Sequence, residues 1–401
     1  MDPHPFDRIT SDELRRRGSL KWTGYPEMLG AWVAEMDFGT APGVAEAATE
    51  TLRSGLLGYA PPRLVGDMQS AAARWLASRH GWAVDPGQVR PLPSVLTALE
   101  AAILYFSPTH RPDAPVVLLT PAYMPFLDTP GRFGRRAIHV DMVANDSGWE
   151  VDWAALEAAL RGGALLVLVN PHNPLGKVYS RAELQRVSEL VEASGSRVFA
   201  DEIHAPLIYA PSAHIPYATL DEASAAHTVT GISASKAFNV PGLKCAQLVL
   251  TNDTDRLLWD VVGSPLEAGA ANVGLAASAA AYDGGARWLG GVVDYLDGNR
   301  RLLAALVHEH LPAVRYVVPD ATYLAWLDVS DLTVGRNPAR FFRNQAGVAT
   351  ISGSACGEAG RGYVRLNFAT PRPVLEAMVH RMGAAVDGSD VNDSGDIDAY
   401  F

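Results

Sequence analysis

Lys236 stands in the stretch Ser233-Ala234-Ser235-Lys236, directly after the apolar run Thr228 to Ile232. Such an amine can bond to a carbonyl carbon, and the two hydroxyls beside it can donate to an anion. Asp201 closes another apolar run, Arg197 to Ala200. Asn170 and Asn173 follow a third, Ala164 to Val169. An amine for an imine, a carboxylate for a pyridinium nitrogen and hydroxyls for a phosphate are together what pyridoxal 5'-phosphate (PLP) requires.

Each of these residues has a plainer reading when taken alone. A lysine at a strand end is ordinarily a solvated surface charge. Asp201 could cap a helix. Asn170 to Gly176, with two Asn-Pro steps, could simply be a rigid turn. Arg365, in Tyr363-Val364-Arg365-Leu366-Asn367-Phe368, could sit in a buried ion pair. Read together they acquire roles. Lys236 needs an amine that is partly deprotonated, which a pocket can arrange electrostatically. Asp201 would keep the ring nitrogen protonated, so that the ring withdraws electrons from a carbanion. The Asn173 amide could donate to the phenolate oxygen of the cofactor. Arg365 could grip a substrate carboxylate through two parallel hydrogen bonds. His204 lies one helical turn beyond Asp201, and both structural and catalytic readings stay open for it.

These groups must be carried by a scaffold, and composition says which kind. The chain has 401 residues, enough for a large domain plus a smaller one or for an intertwined pair. Apolar residues make up 48% and charged residues 19%, which is globular rather than disordered. A net charge of -11 argues against a nucleic-acid surface. Part of that charge is local: Asp387 to Phe401 holds five Asp and reads as a disordered acidic tail. Two cysteines, Cys245 and Cys356, make no disulfide framework and fit a reducing compartment. The first residues carry no apolar signal core, and no run approaches the roughly 20 apolar residues that span a bilayer. A cytoplasmic protein without membrane or nucleic-acid partners is expected.

Short apolar runs alternate with helical stretches. Val116–Leu119, Ala137–Val140, Leu165–Val169, Arg197–Ala200, Thr228–Ile232 and Gln247–Leu250 read as strands. Ser94–Phe106, Trp153–Leu160 and Arg181–Ser194 read as helices, and earlier ones are expected over 43–54 and 66–80. The alternation predicts a mostly parallel sheet covered on both faces, and the near-continuous apolar strands agree. The chemically interesting residues fall just after those strands, where ligands bind in open α/β sheets. One long helical region is expected from Leu275 to Glu309, then strand, helix, strand, helix to about Met382. Residues 1–45 read as an arm whose Trp22, Trp32, Met36 and Phe38 are anchors. The expected division is an arm over 1–45, a large domain over 46–284, a small α+β domain over 285–385 and a tail over 386–401. No metal site is expected: His308-Glu309-His310 lacks the i, i+4 spacing of helical zinc ligands. No dinucleotide fingerprint, nucleophile elbow or Walker loop occurs.

Asn170–Gly176, Asp201–His204 and Ser233–Lys244 resemble fold-type I PLP enzymes of the class I/II aminotransferase superfamily. Ala31-Trp32-Val33-Ala34-Glu35-Met36-Asp37-Phe38, Thr322-Tyr323-Leu324-Ala325-Trp326-Leu327-Asp328 and Arg365–Thr370 resemble its branch of MalY/PatB-type cystathionine β-lyases, or C–S lyases. The resemblance runs from about residue 5 to 383. It implies a seven-stranded, mostly parallel sheet flanked by helices, a smaller α+β domain, and a homodimer with shared active sites. It implies that Lys236 is the Schiff-base lysine and proton shuttle, that Asp201 pairs with the pyridine nitrogen, and that Asn173 and His204 lie at the cofactor. Tyr123 resembles the aromatic that stacks on the ring, and Tyr59 the tyrosine that reaches the partner subunit's phosphate. Ser233, Ser235, Lys244 and the backbone N–H groups of Val95 and Leu96 resemble the phosphate ligands, the last two at a helix start. Arg365, with Asn173 and Ala34, is placed at the substrate. Glu35, Leu175 and Cys356 depart from the commoner residues at their positions, on the substrate side.

The resemblance implies a β-elimination that yields a thiol, pyruvate and ammonia from L-cystathionine or another cysteine S-conjugate. An aminotransferase on the same scaffold shares the early steps and is the alternative. A degenerate binding module is a third reading, which the intact pair Lys236 and Asp201 opposes.

Overall fold

The protein is described by a computed structural model covering residues 4–145 and 148–388. Seven strands form the main sheet: β1 (Val89–Leu92), β2 (Val116–Thr120), β3 (Ala137–Asp141), β4 (Leu165–Val169), β5 (Arg197–Asp201), β6 (Thr228–Ile232) and β7 (Ala246–Leu250). Their order is β1-β7-β6-β5-β4-β2-β3. Only β7 runs antiparallel to its neighbours. Strands β2, β4, β6 and β7 are buried along their whole length, as the unbroken apolar runs require. One face packs Leu99, Ile103, Phe199 and Trp259 together. The other packs Leu166, Leu168, Leu184 and Val187. Each such side chain contributes roughly 1.5–3 kcal/mol when fully buried.

The register brings the carboxyl ends of the strands level. Val169 lies opposite Asp201, and Asp201 lies opposite Gly231. The segments leaving β2, β4, β5 and β6 therefore emerge side by side, at the sheet edge where α/β folds bind ligands.

A second sheet contains β8 (Arg315–Tyr316), β9 (Leu324–Asp328), β10 (Ile351–Ser352) and β11 (Tyr363–Asn367), all antiparallel in the order β8-β9-β11-β10. Arg365 lies in its middle, opposite Trp326 and Ile351. This region holds more strand than the expected strand, helix, strand, helix. The short strands over 315–316 and 351–352 are two residues each, too brief to carry an alternation.

Two further expectations shift. The long helical region is two helices, Asn272–Gly284 and Ala286–His310, broken at Gly285. A Cβ there would lie 2.2 Å from the Phe238 ring and 2.5 Å from Ala281 O. The edge strand β1 went unanticipated because Pro91 sits inside it, a residue tolerated at an edge.

Three of the four expected anchors dock the arm, while Trp32 stays half-buried with its Nε1 donating to Lys21 O at 3.1 Å. Trp22, Leu29, Met36 and Phe38 join one core with Leu324 and Leu366 of the second sheet and Leu296 and Leu303 of the long helix. Lys21, fully buried, bonds Asp37 at 2.8 Å, and Trp22 Nε1 donates to the same carboxylate at 2.8 Å. Leu29–Gly30 adds a parallel strand to Val348–Ala349. Gly30 is required there, since a Cβ would lie 2.2 Å from Lys21 O. Of the acidic tail expected over 386–401, residues 389–401 lie outside the described residues. The last described helix is Arg372–Asp387. No helix among the described residues is long and apolar enough to cross a membrane.

Candidate active site

Four strand ends and two outlying segments supply the site. From the turn after β6 comes Lys236, whose Nζ donates to Ala34 O of the arm at 2.9 Å. Burial pulls its amine down to about 8, with the Arg365 guanidinium acting in the same direction and Glu35 and Asp201 opposing. A lysine near neutrality is what carbonyl chemistry needs. From the end of β5 comes Asp201, 5% exposed. Burial pushes its carboxyl up to about 7, although Ile203 N–H donates to it at 3.1 Å. His204 follows, buried, with Nδ1 lacking a partner among the described residues. Burial, then the positive charge of Lys236 and Arg365, drives its imidazole down to about 3, so it is neutral at pH 7.

From the turn after β4 comes Asn173, whose Oδ1 accepts from Arg365 at 3.2 Å. The second terminal nitrogen of Arg365 donates to Trp32 O of the arm at 3.1 Å. Arg365 is 3% exposed and makes no ion pair among the described residues. A buried guanidinium held by neutral acceptors is arranged to receive an anion. From the end of β2 comes Tyr123, half-buried and edge-on to Phe126. Burial raises its hydroxyl, which keeps the proton.

The remaining expected residues behave differently. The Val95–Tyr105 helix is capped by Ser94, whose Oγ accepts from Thr97 N at 3.1 Å. Its first N–H groups, those of Val95 and Leu96, lack helical partners, as at any helix start. Ser233 Oγ donates to Cys245 O at 2.9 Å and accepts from Ser235 N at 3.0 Å. Its only proton is thus committed to the turn, and Ser235 is the hydroxyl of the pair that stays outside it. Lys244 is exposed, with a left-handed backbone (φ 52°). Tyr59 is completely exposed in the single chain.

Several contacts were missed in the sequence. Tyr323 Oη also donates to Ala34 O, at 2.9 Å. Asn367 Nδ2 donates to Val33 O and Glu35 O, both at 2.6 Å. Asn239 holds Met36 N and O, both at 2.8 Å. All three residues fall inside stretches that carry the resemblance, but nothing in their spacing shows that they hold the arm.

The residues present fit PLP. A buried carboxyl raised by desolvation is what a protonated pyridine nitrogen would satisfy. The unpartnered His204 Nδ1 and the capped helix start await polar groups, and Lys236 supplies the amine.

The family model "Aminotransferase class I and II" matches residues 30–382. A cystathionine beta-lyase of Corynebacterium glutamicum is 34% identical over 94% of this chain and 98% of its own. The cystathionine beta-lyase PatB of Bacillus subtilis is 32% identical, covering 92% and 96% respectively. The crystal structure of a PLP-bound C-S lyase from Staphylococcus hominis superposes with a TM-score of 0.86 at 26% identity, covering 96% of this chain and 98% of that one. With a site of this composition and a match over most of its length, the chain belongs to the class I and II aminotransferase family.

Proposed function

We propose that the protein is a PLP-dependent carbon–sulfur β-lyase that converts L-cystathionine or related cysteine S-conjugates into a thiol, pyruvate and ammonia. The observation that carries this reading is the position of the Lys236 amine. Lys236 is half-buried, its Nζ is held on Ala34 O at 2.9 Å, and burial pulls the amine down to about 8 beside Arg365, Glu35 and Asp201.

Bound here, PLP supplies an electron sink for the electrons left on Cα of the amino acid. Arg365, with Asn173, binds the substrate carboxylate and fixes which Cα bond faces Lys236. Lys236 holds the cofactor, and once released takes the Cα proton on Nζ. Asp201 keeps a proton on the ring nitrogen. Asn173 would donate to the ring oxygen, His204, neutral, would lie at the cofactor, and Tyr123 would cover the ring. The Cβ–S bond breaks, sulfur leaves with the electron pair, and Tyr123 or Lys236 supplies its proton. The released aminoacrylate takes up water to give pyruvate and ammonia. Ser235, Lys244 and the N–H groups of Val95 and Leu96 hold the phosphate.

The subunit reads as an arm (1–45), a large domain (46–284) and a small domain (285–385) that brings Arg365 to the strand ends. It works as a homodimer in the cytoplasm. Asn272 Nδ2 pins Leu56 O and Gly58 O at 3.0 Å each, so Tyr59 is held outward with exposed Leu57 beside it. Such an arrangement suits a residue that completes a neighbour's site. Two buried free cysteines fit a reducing compartment.

The test is a panel of cysteine S-conjugates with thiol and pyruvate both quantified. Equal yields without any keto-acid acceptor support the lyase. A strict requirement for 2-oxoglutarate, with no thiol released, would assign the aminotransferase instead.

A further inference from the structure

The Ala34 carbonyl oxygen accepts two hydrogen bonds, from Lys236 Nζ and from Tyr323 Oη, each 2.9 Å long. A carbonyl oxygen has two lone pairs, so this acceptor is full. The steps above use Lys236 but give the Tyr323 hydroxyl no task. That hydroxyl is fully buried and keeps its proton, because burial raises it and the neighbouring Glu35 raises it further.

Tyr323 is also fixed in place. Its carbonyl accepts from Phe368 N at 3.0 Å, and its ring meets His204 edge-on at 6.1 Å. Ala34 is fixed as well, because Asn367 Nδ2 clamps the carbonyls on either side of it at 2.6 Å. The acceptor therefore offers Lys236 one defined resting place whenever its amine is not bonded to the cofactor. The geometry points to Tyr323 as a positioning residue for Lys236: it occupies one lone pair of Ala34 O and so sets where, and how tightly, the free amine rests. This inference builds on the assignment of Lys236 as the cofactor-holding lysine.

A sign follows. With Tyr323 absent from the carbonyl, the lysine becomes its sole donor. The ammonium form then gains a stronger acceptor, and a smaller fraction of the amine is free base near neutrality. The charged and titratable groups facing Lys236 are Asp201 and His204 from β5 and its turn, Arg365 from β11, Glu35 from the arm, and Tyr323. Only the last is altered by Tyr323→Phe, which keeps the volume of the ring.

The experiment follows capture of added PLP by apoprotein, read as growth of the absorbance band at about 420 nm across a range of pH. Tyr323→Phe should slow capture at neutral pH by about fivefold and displace the pH midpoint upward, because only the free base attacks the aldehyde. In the holoenzyme kcat should fall while KM changes little. The control is Tyr209→Phe, which removes a buried hydroxyl bonded to Thr322 O, next along the chain, without touching Ala34 or Lys236. It should capture PLP like the wild type. An unchanged rate and midpoint in Tyr323→Phe would overturn the inference, and so would an equal slowing in Tyr209→Phe, which would mark a general loosening. Failure of the wild type itself to form the band would instead overturn the cofactor assignment, and this inference with it.

Discussion

At the scale of single residues, the site depends on what burial does to charge. Arg365 is buried among neutral acceptors, so its positive charge has no counter-ion among the described residues, and the proposed carboxylate of the substrate would supply one. Arg365→Lys keeps the charge but loses the planar fork. Steady-state kinetics should show KM raised by about 100-fold with a smaller loss in kcat, because a bidentate grip binds ground and transition state alike. A change confined to kcat would place the arginine elsewhere in the reaction. Burial also sets the stability of the apoprotein. His172 and His204 are held down to about 3 by desolvation, so the unfolded chain binds protons that the folded one refuses as pH falls below 6.5. Each contributes stability that is lost on acidification, by about 1.4 kcal/mol per pH unit. Asp201 works in the opposite sense: raised from 3.8 to about 7, it favours the folded state as pH falls through that interval. Two histidines against one aspartate leave a net loss of stability on acidification, to which His80 and His227 add. The apoprotein Tm should therefore fall as pH drops below 6.5, and Asp201→Asn should make the fall steeper. A Tm that rises on acidification would contradict the assignment of these groups.

At the scale of elements, strand ends and the arm share the work of positioning. The sequence shows the strand ends well. Thr228 to Ile232 and Leu165 to Val169 are unbroken apolar runs, and Lys236 and Asn173 come shortly after them. Local pattern is enough for a strand buried on both faces. The Met124–Arg132 helix was hidden by Pro125, Pro130 and Gly131, since its first turn tolerates proline and its packing outweighs propensity. Contacts across long separations were hidden too. Asn367 and the carbonyls of Val33 and Glu35 are more than 330 positions apart, and no spacing rule connects them. Asn367→Ala would leave two arm carbonyls without their donor. We expect a loss of about 1–3 kcal/mol in urea unfolding, together with faster proteolysis within the arm. Unchanged protease resistance would show that the arm is held by its apolar anchors alone.

At the scale of the whole molecule, one chain brings together Lys236, Asp201 and Arg365, yet leaves Tyr59 fully exposed. The proposed homodimer would give that residue a role at the neighbouring subunit's site. Sedimentation should find a dimer, and Tyr59→Ala should weaken PLP affinity by about tenfold while leaving the dimer intact. A monomer with full cofactor affinity would remove the shared-site reading. The most direct test of the account is borohydride reduction of PLP-loaded protein followed by peptide mapping. A pyridoxyl group fixed on Lys236, and its absence together with loss of thiol and pyruvate formation in Lys236→Ala, is the predicted result. A pyridoxyl group on another lysine, or undiminished turnover by Lys236→Ala, would contradict it.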